Sequence, residues 1–439
     1  MNDAVPVVVV GAGLAGCEAA VQLARHKTPV RLLEMKPKTY SPAHSLPGPA
    51  ELVCSNSLKS DSEDSAHGLL KREMRRLESV ILEAAEQTRV PAGTALAVDR
   101  GKFTEATSAI LKRYKEIIFE PSVEVDKIPD GQVILATGPL TTGPLAADLN
   151  HKLQSSEDLF FYDALAPIVE AESIDNEKVF RASRWGRGDD YLNCPFSKDE
   201  YQRFLKALRS APRTELRDFE DQRYFEGCLP IEVLAERGDD TLAFGPMRPV
   251  GLVHRGARPH AVVQLRAENR ENTAYNLVGF QTKLTHAGQR EVFRLIPGLQ
   301  NARFLRYGAV HRNMYVNAPL ELTAALGLQS DPRVRLGGQI VGVEGYVESA
   351  AMGLLAGLMT ARELRGEPVE PPPAETCLGA LCKHVRGEFT HKRFEPMNIH
   401  FGLLPETGLR GRSKRREAAG RRADQVLEEW MQRWQLYRK

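Results

Sequence analysis

No stretch of this 439-residue chain approaches the roughly 20 consecutive apolar residues needed to cross a bilayer, so no membrane partner is expected. The first residues, MNDAVP, lead straight into VVVV without a basic region, an apolar region and a small-residue cleavage site, so no secretory leader is expected either. Cysteine is scarce. The six, at positions 17, 54, 194, 228, 377 and 382, are too few and too scattered for a disulfide framework, which makes reduced thiols in a cytoplasm the expectation and leaves each free to act as a nucleophile. Cys377 and Cys382 have only His384 beside them and no second pair, and no histidine stands in an HExxH spacing, so no metal site is expected.

Charge of either sign is nearly balanced, at a net +2. Alone this says nothing about nucleic acid. Its distribution says more, because Arg410–Lys439 carries ten Lys/Arg against four Asp/Glu. With 42% hydrophobic and 26% charged residues the composition is that of a globular protein, and the length exceeds what one core usually fills.

What the N-terminus does contain is organised. PVVVVGAGLAG is a β-branched run ending in glycines, Cys17–Ala24 has helical apolar spacing, and Val30–Glu34 reads as a second strand. Gly11-x-Gly13-x-x-Gly16 therefore sits between a strand and a helix, and Glu34 follows 18 positions after Gly16 at a strand end. Gly11 permits the tight turn, Gly13 lets the backbone of Ala12, Leu14 and Ala15 approach a pyrophosphate, and Gly16 lets helix and strand pack. The helix N-terminus then offers N–H groups to phosphate, and Glu34 can accept from adenosine ribose hydroxyls. Three glycines can also close such a turn and bind nothing.

NAD and FAD share this fingerprint. The strand end Ala136-Thr137-Gly138 and the strand–helix unit at 338–356 favour FAD, in an arrangement that resembles glutathione-reductase-like flavoproteins. The fold class expected is α/β, a Rossmann FAD-binding domain made of residues 1–180 and 311–439, with a smaller α+β insertion at 181–310. The last helix of the FAD domain, opening near Gly345, can aim its N–H groups at a flavin, and its small residues equally suit close packing. A single helix is expected from about Gly68 to Gln87, and residues 39–68 read as a long loop, of a length that is usually functional or disordered.

Several segments carry a resemblance: GAGLAGCEAA with LLEMKP, ELVCSNSLKS with GLLKREMRRLES, VPAGTALAVDR, FYDALAPIV, YLNCPF, FGPMRPVGL, LVGFQTKL, RYGAVHRNMYVNAP and GVEGYVESAAMGLLAG. From about residue 7 to beyond 400 the chain resembles the folate- and FAD-dependent tRNA (uracil-5-)-methyltransferase family, TrmFO. The wobble-uridine modification family MnmG (GidA) is the nearest by fold, but this chain is shorter and has CSNSLKS where that family has an Asn-Pro and glycine-rich turn. The resemblance implies that methylenetetrahydrofolate donates a carbon, that FAD reduced by NADH or NADPH carries and reduces it, and that the acceptor is the T-loop uridine 54 of tRNA. An rRNA uridine would suit the same chemistry. Two other readings are a flavin oxidoreductase of small molecules, which needs neither a second thiol nor a basic surface, and a non-catalytic RNA-binding flavoprotein.

C5 of uracil is a poor nucleophile until a thiolate adds to C6, and the C5 proton must later be removed by a base. By the resemblance, Cys228 is the C6 nucleophile and Cys54 the proton-abstracting or flavin-side thiol. On its own residues Cys54 is either an inert loop thiol or one whose pKa Ser55, Asn56, Ser57 and Lys59 lower. Cys228, between Gly227 and Pro230, is expected at a turn before a helix, whose N-terminus would stabilise a thiolate. Cys17 reads as a packing residue. Arg415, Arg416, Arg421 and Arg422 in the basic tail are candidates for RNA phosphates or for a solvated helix face. Trp430 and Trp434, four apart, are expected to dock that helix on the body.

Overall fold

Four consecutive valines make Val7–Val10 apolar on both faces, and all four are buried, as a strand inside a helix-covered parallel sheet must be. In the computed structural model, which describes residues 5–155, 159–186, 188–214, 229–389 and 394–436, this strand is the middle of a five-stranded parallel sheet. The spatial order is Val334–Leu336, Val133–Leu135, Val7–Val10, Val30–Glu34, Ile117–Pro121. Helix Leu14–Arg25 leaves the first strand through the glycine turn and is buried along nearly its whole length by helix Tyr346–Leu364 lying across it. That crossing depends on glycine. A Cβ on Gly353 would stand 2.2 Å from the Ala15 carbonyl oxygen, and one on Gly357 2.5 Å from that of Ala19.

A second core forms on a six-stranded sheet in the order Phe180–Arg181, Leu192–Phe196, Ala261–Ala267, Ala274–Leu277, Ile168–Glu170, Phe304–Arg306. Phe196, Phe204, Phe280 and Phe293 fill it, and helix Lys198–Ser210, started by a Ser197–Glu200 capping box, covers it. An antiparallel ribbon, Leu159–Ala164 with Val310–Tyr315, joins the two bodies. We keep the division at 1–180, 181–310 and 311–439 as a proposal about folding units; the hydrogen bonding of the second sheet itself reaches back to Ile168.

The helix expected over Gly68–Gln87 is two, Ala66–Arg76 and Val80–Gln87. Glu78 turns at φ +53° and the Ser79 hydroxyl accepts the Leu82 N–H, so a new N-cap interrupts an apolar periodicity that runs through both. The expected long loop contains strand Ser57–Ser60, paired with Ala95–Val98. At the C-terminus, helix Arg412–Arg433 docks as expected: Trp430 is fully buried, Trp434 is 5% exposed beneath the Arg362 guanidinium, and Asp424 pairs both its oxygens with Arg72 at 2.9 and 3.0 Å. No helix among the described residues is long and apolar enough to cross a membrane.

Candidate active site: a dinucleotide cleft opening onto a thiol cavity

The glycine turn, the Glu34 strand end and the Ala136–Thr142 segment converge on one elongated cleft of about 320 Å³. Its fit to a dinucleotide is visible in the glycines. A Cβ on Gly11, at φ +96°, would lie 2.6 Å from the Ala136 carbonyl oxygen, and one on Gly16 1.8 Å from that of Gly11, so these two are demanded by packing. A Cβ on Gly13 or Gly138 would meet nothing within 4 Å. Both line the cleft. They leave room for an approaching ligand; at Gly13 nothing of the protein's own accounts for the small residue, whereas Gly138, at φ +74°, is also required by its left-handed backbone.

Glu34 is buried in the cleft wall, its two oxygens accepting the backbone N–H groups of Ala12 at 2.9 Å and Lys36 at 3.1 Å. Those bonds aim the carboxylate and leave each oxygen a further lone pair for a ribose hydroxyl. Thr137 shares a 2.6 Å hydrogen bond with the Thr141 hydroxyl, which also bonds the Gly138 carbonyl at 2.7 Å, fixing the turn after strand Val133–Leu135. Cys17, next in the helix, is fully buried with its thiol 3.4 Å from the Ala12 carbonyl; burial, then Glu34 and Glu18, push its pKa far above the ordinary thiol value. It packs.

At its other end the cleft meets a second cavity of about 270 Å³, and Val53, Pro139, Leu140, Gln339 and Tyr346 line both. Cys54 lies in this second cavity. Its loop is held from three directions. The Tyr346 hydroxyl accepts the N–H of Cys54 at 2.6 Å, Arg306 donates to the carbonyls of Val53 at 2.8 Å and Cys54 at 3.2 Å, and Arg100 donates to that of Leu52. Burial pushes the Cys54 thiol up to about 12, Asp163 adds to the rise, and Arg306 and Arg100 oppose it. The lowering expected from Lys59 does not occur, because the Lys59 ammonium is drawn to Asn398 and Glu348 instead. Cys54 is therefore a neutral thiol near pH 7.

The other groups around it were not singled out from the sequence. Asp163 and His311 face each other in register on the connecting ribbon and both line the cavity. Burial, reinforced by Arg306, lowers the His311 pKa, so its imidazole is neutral. Burial and the nearby Asp163 hold the Glu344 carboxyl well above the usual range, and the Gln339 amide donates to it. Gly345, at φ +112°, caps helix Tyr346–Leu364 and lines the thiol cavity, whereas Tyr346, one residue on, lines both. Contacts such as Tyr346 to Cys54 span 292 positions of sequence, and no local pattern encodes them.

Cys228 lies outside the described residues. Downstream, Ile231 opens a helix and donates its N–H to the Gln281 carbonyl at 2.7 Å, and Gln281 lines the Cys54 cavity. Of the tail arginines, Arg416 donates to the Asp64 carbonyl, Arg422 to those of Pro405 and Glu406, and Arg421 pairs with Glu417; Arg415 is exposed. Among the described residues no group of three or more His, Cys, Asp and Glu side chains is placed to hold a metal ion.

A dinucleotide cleft on a parallel sheet, opening at its far end onto a second, ligand-sized cavity, defines a flavoprotein of the glutathione-reductase-like class. The family model described as glucose inhibited division protein A matches residues 6–368. The methylenetetrahydrofolate--tRNA-(uracil-5-)-methyltransferase TrmFO of Pelobacter propionicus is 54% identical over 435 residues, 97% of this chain and 94% of its own. That of Syntrophus aciditrophicus is 51% identical over 439 residues, 99% and 98% of the two chains. The chain belongs to the TrmFO family. The structure of GidA from Aquifex aeolicus shares the fold, with a TM-score of 0.69 at 17% identity, covering 97% of this chain and 73% of that one.

Proposed function

We propose that this chain is a cytoplasmic enzyme that methylates C5 of the T-loop uridine 54 of tRNA, taking its carbon from methylenetetrahydrofolate and its electrons from NADH or NADPH. The observation that carries this reading is the shared wall of the two cavities: in a chain of this family, a dinucleotide cleft ends where a positioned cysteine begins. FAD, held by the Gly11–Gly16 turn with Ala12, Gly13, Leu14 and Ala15, by Glu34, Thr137 and Gly138, and bordered by Gly345, would carry and reduce the one-carbon unit.

The protein's own thiols do the rest. The Cys228 thiolate adds to C6; the S–C6 bond forms as the C5=C6 double bond opens, and the electron pair delocalises as an enolate that makes C5 nucleophilic. After the new C5–C bond has formed, a base removes the C5 proton, and the double bond re-forms by expelling the thiolate. Cys54, held as a thiol, can take the C5 proton only after passing its own to a base, a role open to the neutral His311 imidazole that lines the same cavity.

RNA carrying 5-fluorouridine at the target position separates the two roles. With methylenetetrahydrofolate and NADPH, the protein should form a covalent adduct with this RNA, since fluorine cannot leave as a proton does. Cys228→Ala should bind FAD and tRNA and form none, while Cys54→Ala should lose methylation. Methylation supported by S-adenosylmethionine alone, or a full rate in either variant, would defeat the reading.

A further inference from the structure

Two stretches at and within the insertion, 178–188 and 244–260, contain no Asp or Glu, and in sequence they hold Lys178, Arg181, Arg184, Arg187, Arg248, Arg255 and Arg258. The fold brings them together. Arg184 donates to the Pro246 carbonyl at 2.6 Å, His254 stacks on Phe180 at 4.9 Å, and the backbone of Trp185 lies so near Gly251 that a Cβ there would be 2.8 Å from its nitrogen. The result is a broad hollow of about 1070 Å³ lined by Arg248, His254, Arg255, Arg258, His260 and Phe244. Two carboxylates also line it: Glu200 is engaged by the Ser197 hydroxyl and N–H, and Asp240 precedes the Thr241–Phe244 helix.

Two features set this face apart. Arg75, Arg89, Arg113, Arg209 and Arg303 each bond an Asp or Glu, whereas Arg248, Arg255 and Arg258 are exposed and none pairs with a carboxylate among the described residues, although Arg255 donates to the Glu177 carbonyl at 3.0 Å. Beside them Trp185 is 60% exposed, with the Arg248 guanidinium 5.5 Å from its ring centre. Uncompensated guanidinium groups around an open aromatic ring complement a polyanion that carries stackable bases. The face also adjoins the thiol cavity, because Pro246 packs against Gly279, which lines it.

We propose that this face grips the RNA beside the site of methylation: Arg248, Arg255 and Arg258 contact phosphates, and Trp185 stacks an unpaired base of the loop. The assignment rests on the proposed function, and places the main RNA contact on the insertion. The full-length flavin-loaded protein and its variants are titrated with unmodified tRNA over a range of salt concentrations. Arg248→Ala/Arg255→Ala/Arg258→Ala should reduce the slope of log affinity against log salt by about 2–3, and the triple Lys variant should restore it. Trp185→Ala should bind about tenfold more weakly with the slope retained. An unchanged slope in the triple Ala variant, with normal tRNA binding by the parent, overturns the surface and leaves the function standing. A change confined to self-association in sedimentation would mark a protein interface and overturn it equally. Failure of the parent protein to bind tRNA would overturn both.

Discussion

The Tyr346 hydroxyl accepts the backbone N–H groups of Cys54 at 2.6 Å and Ser55 at 3.2 Å, tying the first residue of the long helix Tyr346–Leu364 to the thiol loop. Tyr346→Phe removes that acceptor and leaves two N–H groups to find others, at a cost of about 1–3 kcal/mol each where they stay buried. We expect single-turnover methylation to fall about tenfold or more while bound flavin, read from its absorbance, stays near one per chain. An unchanged rate would mean that Arg100 and Arg306 suffice to hold the loop.

The glycines of the fingerprint should fail differently. Gly16→Ala places a methyl 1.8 Å from the Gly11 carbonyl oxygen and should lower the melting temperature sharply, in keeping with an overpacking cost of about 1–3 kcal/mol. Gly13→Ala meets no protein atom within 4 Å and should fold normally but lose FAD. Parallel melting and flavin-content measurements distinguish the two; flavin retained in Gly13→Ala would remove that residue from the binding surface.

Cys54 should react as a thiol pushed up to about 12. Only the thiolate alkylates, so its modification by iodoacetamide should rise close to tenfold per pH unit from pH 7 to 10 without levelling off. Mass spectrometry of the Cys54 peptide reads this directly. A plateau below pH 9 would show a thiolate stabilised by some group that the protein's burial does not reveal.

Arg415, Arg416, Arg421 and Arg422 remain proposed phosphate contacts, yet three of them already bond the protein itself. Their joint replacement by Ala should lower the salt slope of tRNA binding by about 1, less than the insertion face does. A fall of about 4 would make the tail the principal RNA surface.

Ser79 shows why one expectation failed. The apolar positions from Leu69 to Ala84 keep a helical period, but Glu78 at φ +53° and the Ser79 cap end one helix and start another, and each buries its own apolar residues. Periodicity records which side faces the core and is silent about a turn that preserves it. Lys59 is the matching case at the site. Sequence proximity suggested a cation for Cys54, and the fold gave that cation to Asn398 and Glu348.

What the sequence determined by itself is the part written in short range: the Val7–Val10 strand, the glycine turn, Glu34 at the next strand end, and the docking stripe of Trp430 and Trp434. Each is a local pattern whose meaning depends on backbone geometry or on one face of one helix. The tertiary structure alone decided the environment of Cys54. Tyr346, Arg306, Arg100, Asp163 and His311 reach it from distant segments, and the burial they jointly create sets the charge of the thiol. Desolvation is a property of everything that surrounds a group, so it exists only once the chain has closed around it.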